Sequence, residues 1–345
     1  MVKRASMAKD VKLRVLELFS GIGGMHYALE ASGIPGEVHA AVDINTTANR
    51  VYQHNHPETK VLNNNIQKFT PKEILKMNVN TILMSPPCQP FTRVGNKKDV
   101  DDARSNALVH ICGILPELTT IDFILMENVK GFETSQARDL YIEALKQSGF
   151  EYQEFLLSPT EIGVPNTRYR YYCLARRKLF SFKTESIMER LPNRVDEFEC
   201  PTISSVLPSV DEDNKEYLLS DNLLSKRARL LDITYSNSTN TKCFTKAYTH
   251  YAEGTGSIHC PVSRKQLDDV FADIQSDSLS PEEKLANLKT LKLRYFTPAE
   301  VAKLMSFPDK FTFPQETTNK QRYRVLGNSI NVAVVGKLIE VLCKD

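Results

Sequence analysis

Two hydrophobic rhythms alternate along the first half of the chain. Apolar runs at residues 15–19, 38–42, 81–84 and 123–127 are four or five residues long and bounded by turn formers, which predicts buried strands. A weaker run at 60–65 predicts another. Between them lie helical patterns at about 24–32, 46–54, 107–118 and 135–148. Gly33 and Pro35 stop the first helix, and Thr70-Pro71-Lys72-Glu73 starts one with Pro in its first turn. Residues 152–158 and 169–175 read as a late pair of strands. Such alternation predicts an α/β fold, a doubly wound and mostly parallel sheet covered on both faces.

The rhythm changes near residue 180. Residues 183–241 are polar, carry Pro192, Pro201 and Pro208, and include the acidic patch Asp211-Glu212-Asp213, so short elements are expected. Residues 243–257 are compact, aromatic and Gly-rich; residues 268–287 are charged, with a mobile stretch expected near 276–281. Thr297-Pro298-Ala299-Glu300 begins a helix, and 330–342 reads as another. The expected organisation is a sheet domain over 1–182, a smaller domain over 183–290 and a return to the first domain over 291–345.

Composition narrows the function classes. The 345 residues are 41% apolar and 25% charged, with a net charge of +2. A nucleic-acid site must therefore be a local patch. No apolar run approaches the ~20 residues of a membrane span, so no membrane partner is expected. Residues 1–10 are basic, lack a secretory apolar core and read as a frayed tail. The seven cysteines are odd in number and scattered, without a Cys-x-x-Cys pair. This argues against a disulfide framework and a structural zinc site, and points to a reducing interior, cytoplasm or nucleus. His54-Asn55-His56 has no supporting ligand pattern and reads as surface; no metal is expected.

Candidate chemistry gathers at the predicted strand ends. Ser85-Pro86-Pro87-Cys88-Gln89-Pro90-Phe91 follows the 81–84 strand. Two prolines stiffen the turn and fix Cys88 at the mouth of the sheet, as a nucleophile requires. Gly21-Ile22-Gly23-Gly24 lies between strand and helix, where glycine admits a ligand close to the backbone. Asp43 ends the second strand, at the station where an acid binds ribose hydroxyls. No Gly-Lys-Ser/Thr follows, so S-adenosylmethionine, which has an adenosine but no phosphate, suits the loop. Glu127 ends the 123–127 strand. Arg168 and Arg170 flank Tyr169, which puts both on one face of a strand.

Taken in order, Phe19-Ser20-Gly21-Ile22-Gly23-Gly24, Pro86-Pro87-Cys88-Gln89, Glu127-Asn128-Val129, Arg168-Tyr169-Arg170 and Gly327-Asn328-Ser329 resemble the cytosine carbon-5 methyltransferases over residues 13–343. The small size, Cys243-Phe244-Thr245 and Glu253-Gly254-Thr255-Gly256-Ser257 resemble the branch that methylates cytosine 38 of the tRNA-Asp anticodon loop. The resemblance implies a Rossmann-like S-adenosylmethionine-dependent catalytic domain and a target-recognition domain. It assigns Cys88 as the nucleophile on carbon 6 and Glu127 as the partner of ring N3 and the exocyclic amine. Arg168 and Arg170 are assigned to the base carbonyl or a phosphate. Phe19, Ile22, Gly23, Gly24, Asp43, Ile66, Gln67, Ser85 and Ser329 would line the cofactor pocket. The sequence departs from many relatives at Asn65, usually an acid, and at Asn166, usually Gln.

A stacked base must be flipped to reach Cys88, more easily from a tRNA loop than from a duplex. Lys97 and Lys98, with Arg104, read as a phosphate-contacting lid. Lys242, Cys243, Phe244, Thr245, Lys246 and Tyr248, with Tyr251, are expected to contact RNA. The rivals are a DNA cytosine-5 methyltransferase and a catalytically silent nucleic-acid-binding protein of the same fold. A monomer is expected.

Overall fold

The computed structural model describes residues 12–87, 106–192, 199–207, 214–251 and 253–344. They divide into two compact units, residues 1–157, 169–196 and 330–345 forming one and residues 158–168 and 197–329 the other.

In the first unit the predicted alternation is realised in order: β1 (Leu13–Leu18), α1 (Gly24–Ser32), β2 (Gly36–Asp43), α2 (Thr46–Asn55), β3 (Val61–Asn63), α3 (Pro71–Lys76), β4 (Thr81–Met84), α4 (Asn106–Ile114), β5 (Phe123–Val129), α5 (Gln136–Gln147), β6 (Glu151–Leu157) and β7 (Arg170–Arg176). The sheet order is β3-β2-β1-β4-β5-β7-β6. The strands from β3 to β5 pair in parallel, while β7 runs antiparallel between β5 and β6. The chain winds outward in both directions from β1 and β4. Their carboxyl ends therefore open a crevice at the point where the winding reverses. The glycine loop follows β1 and Ser85-Pro86-Pro87 follows β4, so sheet topology alone brings those two motifs side by side.

The centre of the sheet is dry. All four residues of β4 are buried, and Leu16, Ile82 and Ile124 pack with Leu108, Tyr141 and Leu145 of the covering helices. On α3, which starts where the sequence predicts, Thr70 and Glu73 form a reciprocal cap. The C-terminal helix, Val332–Lys344, packs against α1. Residues 319–344 are apolar enough by composition to cross a membrane, but they are mostly buried and the helix breaks between Gly327 and Val332. They are core segments of this fold.

The second unit holds α6 (Asp221–Arg227), β8 (Ile233–Tyr235), β9 (Ile258–Cys260), α7 (Arg264–Asp273), α8 (Pro281–Thr290), β10 (Arg294–Tyr295), α9 (Pro298–Leu304) and α10 (Asn319–Gly327). Its small sheet runs β10-β9-β8. Residues 268–287, expected to be charged and partly mobile, are largely helical. Leu267, Val270, Phe271, Leu285 and Leu288 supply an apolar face to the local core, and Ser280 with Glu283 caps α8. The return to the first unit was expected at 291 but begins at 330. Leu291 and Leu293 join the second core, and Arg294 grips Glu300 through two 2.8 Å hydrogen bonds, which holds this stretch there.

Candidate active site

The loop after β1 is left-handed at three positions, Phe19 (φ 55°), Gly21 (φ 55°) and Gly23 (φ 85°). Asp43 holds it. Its Oδ2 accepts from the Gly21 amide at 2.9 Å and its Oδ1 from the Asn45 amide at 2.8 Å. Burial raises the Asp43 pKa, and these amides oppose the rise. Space lies open beside Gly21, where a Cβ would meet nothing within 4 Å. Ile44, next to Asp43, is 71% exposed, an apolar face at the carboxyl end of β2 that the motif reading missed. Its signal was an isoleucine directly after the strand-ending acid.

Other expected cofactor residues differ in setting. Ile22 and Ile66 are buried. Gln67 is exposed and its amide is capped by Asn65. The glycine loop, the tethered acid and the open apolar face suit an uncharged adenosine-type group. Ser329 lies in the second unit.

Beyond β4 and β5, Glu127 receives two partners. The Ser85 hydroxyl donates to its Oε2 at 2.9 Å, and Arg170 Nε approaches Oε1 at 3.3 Å. The register explains the second contact. Glu127 faces Tyr172 and Val129 faces Arg170, so Arg170 is the diagonal neighbour of Glu127 on the same side of the β5–β7 pair. Both are mostly buried, with side chains 9% and 14% exposed. Ser85, expected in the cofactor pocket, donates its hydroxyl to the carboxylate. Cys88, Lys97, Lys98 and Arg104 lie outside the described residues. Ser85 and the buried Pro86 lead toward Cys88 from the end of β4. Burial pushes the thiols of Cys112 and Cys343 up to about 12, and that of Cys173 well upward, so these three are packing residues rather than nucleophiles.

The arginine pair does not share a strand. Arg170 starts β7, whereas Arg168 belongs to the second unit and is 3% exposed. Its guanidinium donates to the carbonyls of Phe244 (2.9 Å), Gly327 (3.2 Å) and Ser329 (2.5 Å), and to Cys243 Sγ (3.3 Å). These contacts tie two motif segments together from within, and they engage the guanidinium that the resemblance assigns to the base or a phosphate. Gly327 completes the junction. A Cβ there would stand 2.2 Å from the Lys246 amide nitrogen and the Thr245 carbonyl carbon, so no other residue fits without backbone movement. Asn166, also buried, donates to Thr241 Oγ1 and to the Lys242 carbonyl.

Two expected RNA contacts are instead core residues. Phe244 is 2% and Tyr248 3% exposed, and their rings meet edge to face. The Tyr248 hydroxyl donates to the Ser257 carbonyl at 2.6 Å and accepts from the Phe296 amide at 2.9 Å. An aromatic-rich segment inside a polar region packs inward because it is the local source of apolar area. Cys243 and Thr245 are half-buried; Lys242, Lys246 and Tyr251 face solvent.

A further carboxylate, Glu17, sits in the middle of β1 with no exposure. Its Oε2 accepts from the Tyr52 hydroxyl at 2.7 Å. Burial is the main cause that raises its pKa to about 8. An acid inside the otherwise apolar run 15–19 was the sequence signal for it.

Comparisons with known proteins agree with this geometry. Residues 13–344 match the family described as C-5 cytosine-specific DNA methylase. A relative from Spodoptera frugiperda named tRNA (cytosine(38)-C(5))-methyltransferase is 49% identical over 332 residues, 95% of this chain and 98% of that protein. The Mus musculus protein of the same name is 42% identical over 390 aligned positions, covering 96% of this chain and 94% of its own. A solved structure of a Spodoptera frugiperda DNMT2 mutant superposes with a TM-score of 0.87 at 49% identity, covering 96% of this chain and 99% of that one. With its motifs in order, its sheet wound as expected and its whole length matched, the chain belongs to the C-5 cytosine-specific DNA methylase family.

Proposed function

We propose that the protein methylates carbon 5 of a cytosine in tRNA, the cytosine 38 for which its relatives are named, with tRNA-Asp as the substrate. One observation carries the chemistry: Glu127, held by Ser85 and Arg170 at the rim where the Pro-Pro-Cys turn begins. S-adenosylmethionine, when bound, supplies an electrophilic methyl group on a sulfonium. Gly21, Gly23, Asp43 and Ile44 would hold its nucleoside end.

The chain's own residues do the rest. Carbon 5 of cytosine is a weak nucleophile. The Cys88 thiolate bonds to carbon 6 and sends electron density to carbon 5. Glu127 grips N3 and the exocyclic amine and favours the protonated ring that accepts the thiolate. Arg170 keeps Glu127 oriented and adds positive potential beside the base. Carbon 5 then takes the methyl group, a base removes its proton, and the carbon 6–sulfur bond breaks to release Cys88. Scattered cysteines support a reducing compartment, cytoplasm or nucleus, and we place a monomer there.

The test is transfer of labelled methyl from S-adenosylmethionine to total tRNA and to DNA in parallel. Label on tRNA that vanishes in Cys88→Ala is expected. Preference for DNA would transfer the substrate assignment to the polymer in the family's description. Full activity in Cys88→Ala would remove the covalent step, and no transfer to either polymer would favour a silent binding protein.

A further inference from the structure

Between α9 and α10 the chain carries Phe307, Phe311 and Phe313. The first two are buried, with ring centroids 4.5 Å apart, and Phe313 meets Phe311 edge to face at 5.0 Å. Phe313 itself is only half-buried. On α10, Tyr323 turns into the core, where its hydroxyl donates to the Phe296 carbonyl at 2.6 Å. Its neighbour Arg322 sits about 100° further back around the helix. That places the guanidinium carbon 5.5 Å from the centre of the Phe313 ring. Arg322 and the three phenyl rings line a cavity of about 430 Å3, with Tyr217 and Lys303 also in its wall.

Arg322 lacks what a guanidinium needs. Its Nε is shut off from solvent and has no hydrogen-bond partner among the described residues, and no carboxylate there pairs with it. Arginine keeps its charge, so a sheltered N–H without an acceptor is costly until a ligand supplies one. The two acids of the cavity wall have donors of their own. Asp309 lies 4.0 Å from Lys303 Nζ, and Glu216 Oε2 accepts from Asn319 Nδ2 at 3.3 Å.

We propose that this cavity binds one nucleotide, with its base against the aromatic wall and its phosphate on Arg322. A nucleotide joins a planar π-system to anionic oxygens, which suit a phenyl face and a guanidinium fork. An inorganic anion would leave the Phe313 ring unused, and an apolar ligand would leave Arg322 without an acceptor. The volume lies in the ordinary range of small-ligand sites. Two sources offer this chemistry, a free mononucleotide and one unpaired nucleotide of an RNA chain. The site goes beyond the reaction proposed above and does not depend on it.

The experiment uses the full-length protein with fluorescently labelled AMP and GMP, and separately with a labelled, unstructured RNA oligonucleotide. Excess S-adenosylhomocysteine fills the site beside Gly21 in every arm. Saturable mononucleotide binding is expected, displaced by unlabelled AMP far better than by inorganic phosphate. Arg322→Gln should weaken it at least ~10-fold, and Phe313→Leu, which keeps apolar volume but loses the ring, by about 10-fold. The thermal midpoint of Arg322→Gln should stay level or rise, because the guanidinium bonds to nothing in the fold; an arginine with a structural role would lower it. Lys265→Gln, which removes an exposed charge of α7 outside the cavity, should keep the parent affinity. A matching loss with the oligonucleotide in Arg322→Gln would assign the occupant to RNA, and a loss confined to AMP and GMP would assign it to a free nucleotide. Parent affinity for both probes in Arg322→Gln, or displacement by phosphate as strong as by AMP, would overturn the proposal. If Arg322→Gln does not fold, Phe313→Leu decides by the same measure. The readout is ligand affinity, so it stands or falls separately from methyl transfer.

Discussion

Glu17 and Glu127 are both buried carboxylates of one sheet, two strands apart, and their surroundings send them to different tasks. Glu127 stands near the carboxyl end of β5 with a guanidinium 3.3 Å away and a hydroxyl donating to its other oxygen. Those partners fix the orientation of the carboxylate near the strand end. Glu17 stands in mid-strand with a tyrosine hydroxyl as hydrogen-bond donor, and nearby Asp43 adds repulsion to the cost of burial. Its proton stays on until about pH 8. Residue type therefore did not set the role; depth in the sheet and the presence of a cation did.

The most forceful way to test this contrast is Glu127→Gln. It keeps the shape and removes the charge, and we expect methyl transfer to fall by about three orders of magnitude with the fold retained, measured as kcat/KM on tRNA. Glu17→Gln should leave methyl transfer at neutral pH within a few-fold of the parent, because Glu17 faces the core.

Glu17 should instead reveal itself through the pH dependence of stability. In the folded state it holds its proton to about pH 8, while unfolded it releases it near 4.5. Between those values the native state binds more protons, so stability falls as pH rises through this window, by roughly 3 kcal/mol from pH 5 to pH 8. Urea midpoints across pH should show that slope in the parent and lose this part of it in Glu17→Gln; identical slopes would mean that Glu17 is ionised in the fold.

Arg170→Ala removes the guanidinium that approaches Glu127 Oε1. Breaking a buried pair typically costs about 3 kcal/mol, and a lowered thermal midpoint together with reduced turnover is expected. A smaller effect is expected from Tyr52→Phe, which removes the hydrogen bond to Glu17 and should cost about 1 kcal/mol in denaturant unfolding.

The same contrast of setting over residue type explains the two arginines of Arg168-Tyr169-Arg170. Strand alternation put them on one face, but β7 begins only at Arg170. Arg168 precedes the strand, and its guanidinium satisfies carbonyls near residues 244 and 327–329 that no nearby stretch of sequence supplies. In the same way Phe244 and Tyr248 looked like contacts for bases in a lysine-rich segment, and they lie buried in an aromatic cluster with Phe296 and Tyr323. Lys242 and Lys246 remain at the surface, as solvation of an ammonium requires.

By itself the sequence determined the strand–helix alternation, the helix caps, the glycine loop with its acid nineteen residues beyond Gly24, and the ordered motifs that mark the family. These are local or repeat along the chain, so periodicity and spacing expose them. Only tertiary structure decided which strands became neighbours, that Ser85 donates to Glu127, that Arg168 and Gly327 join distant loops, and that the His56 ring stacks on that of His26. Each of those depends on which donor and acceptor, or which ring and which void, the folded backbone brings within a few ångströms, and a linear pattern holds no record of that distance.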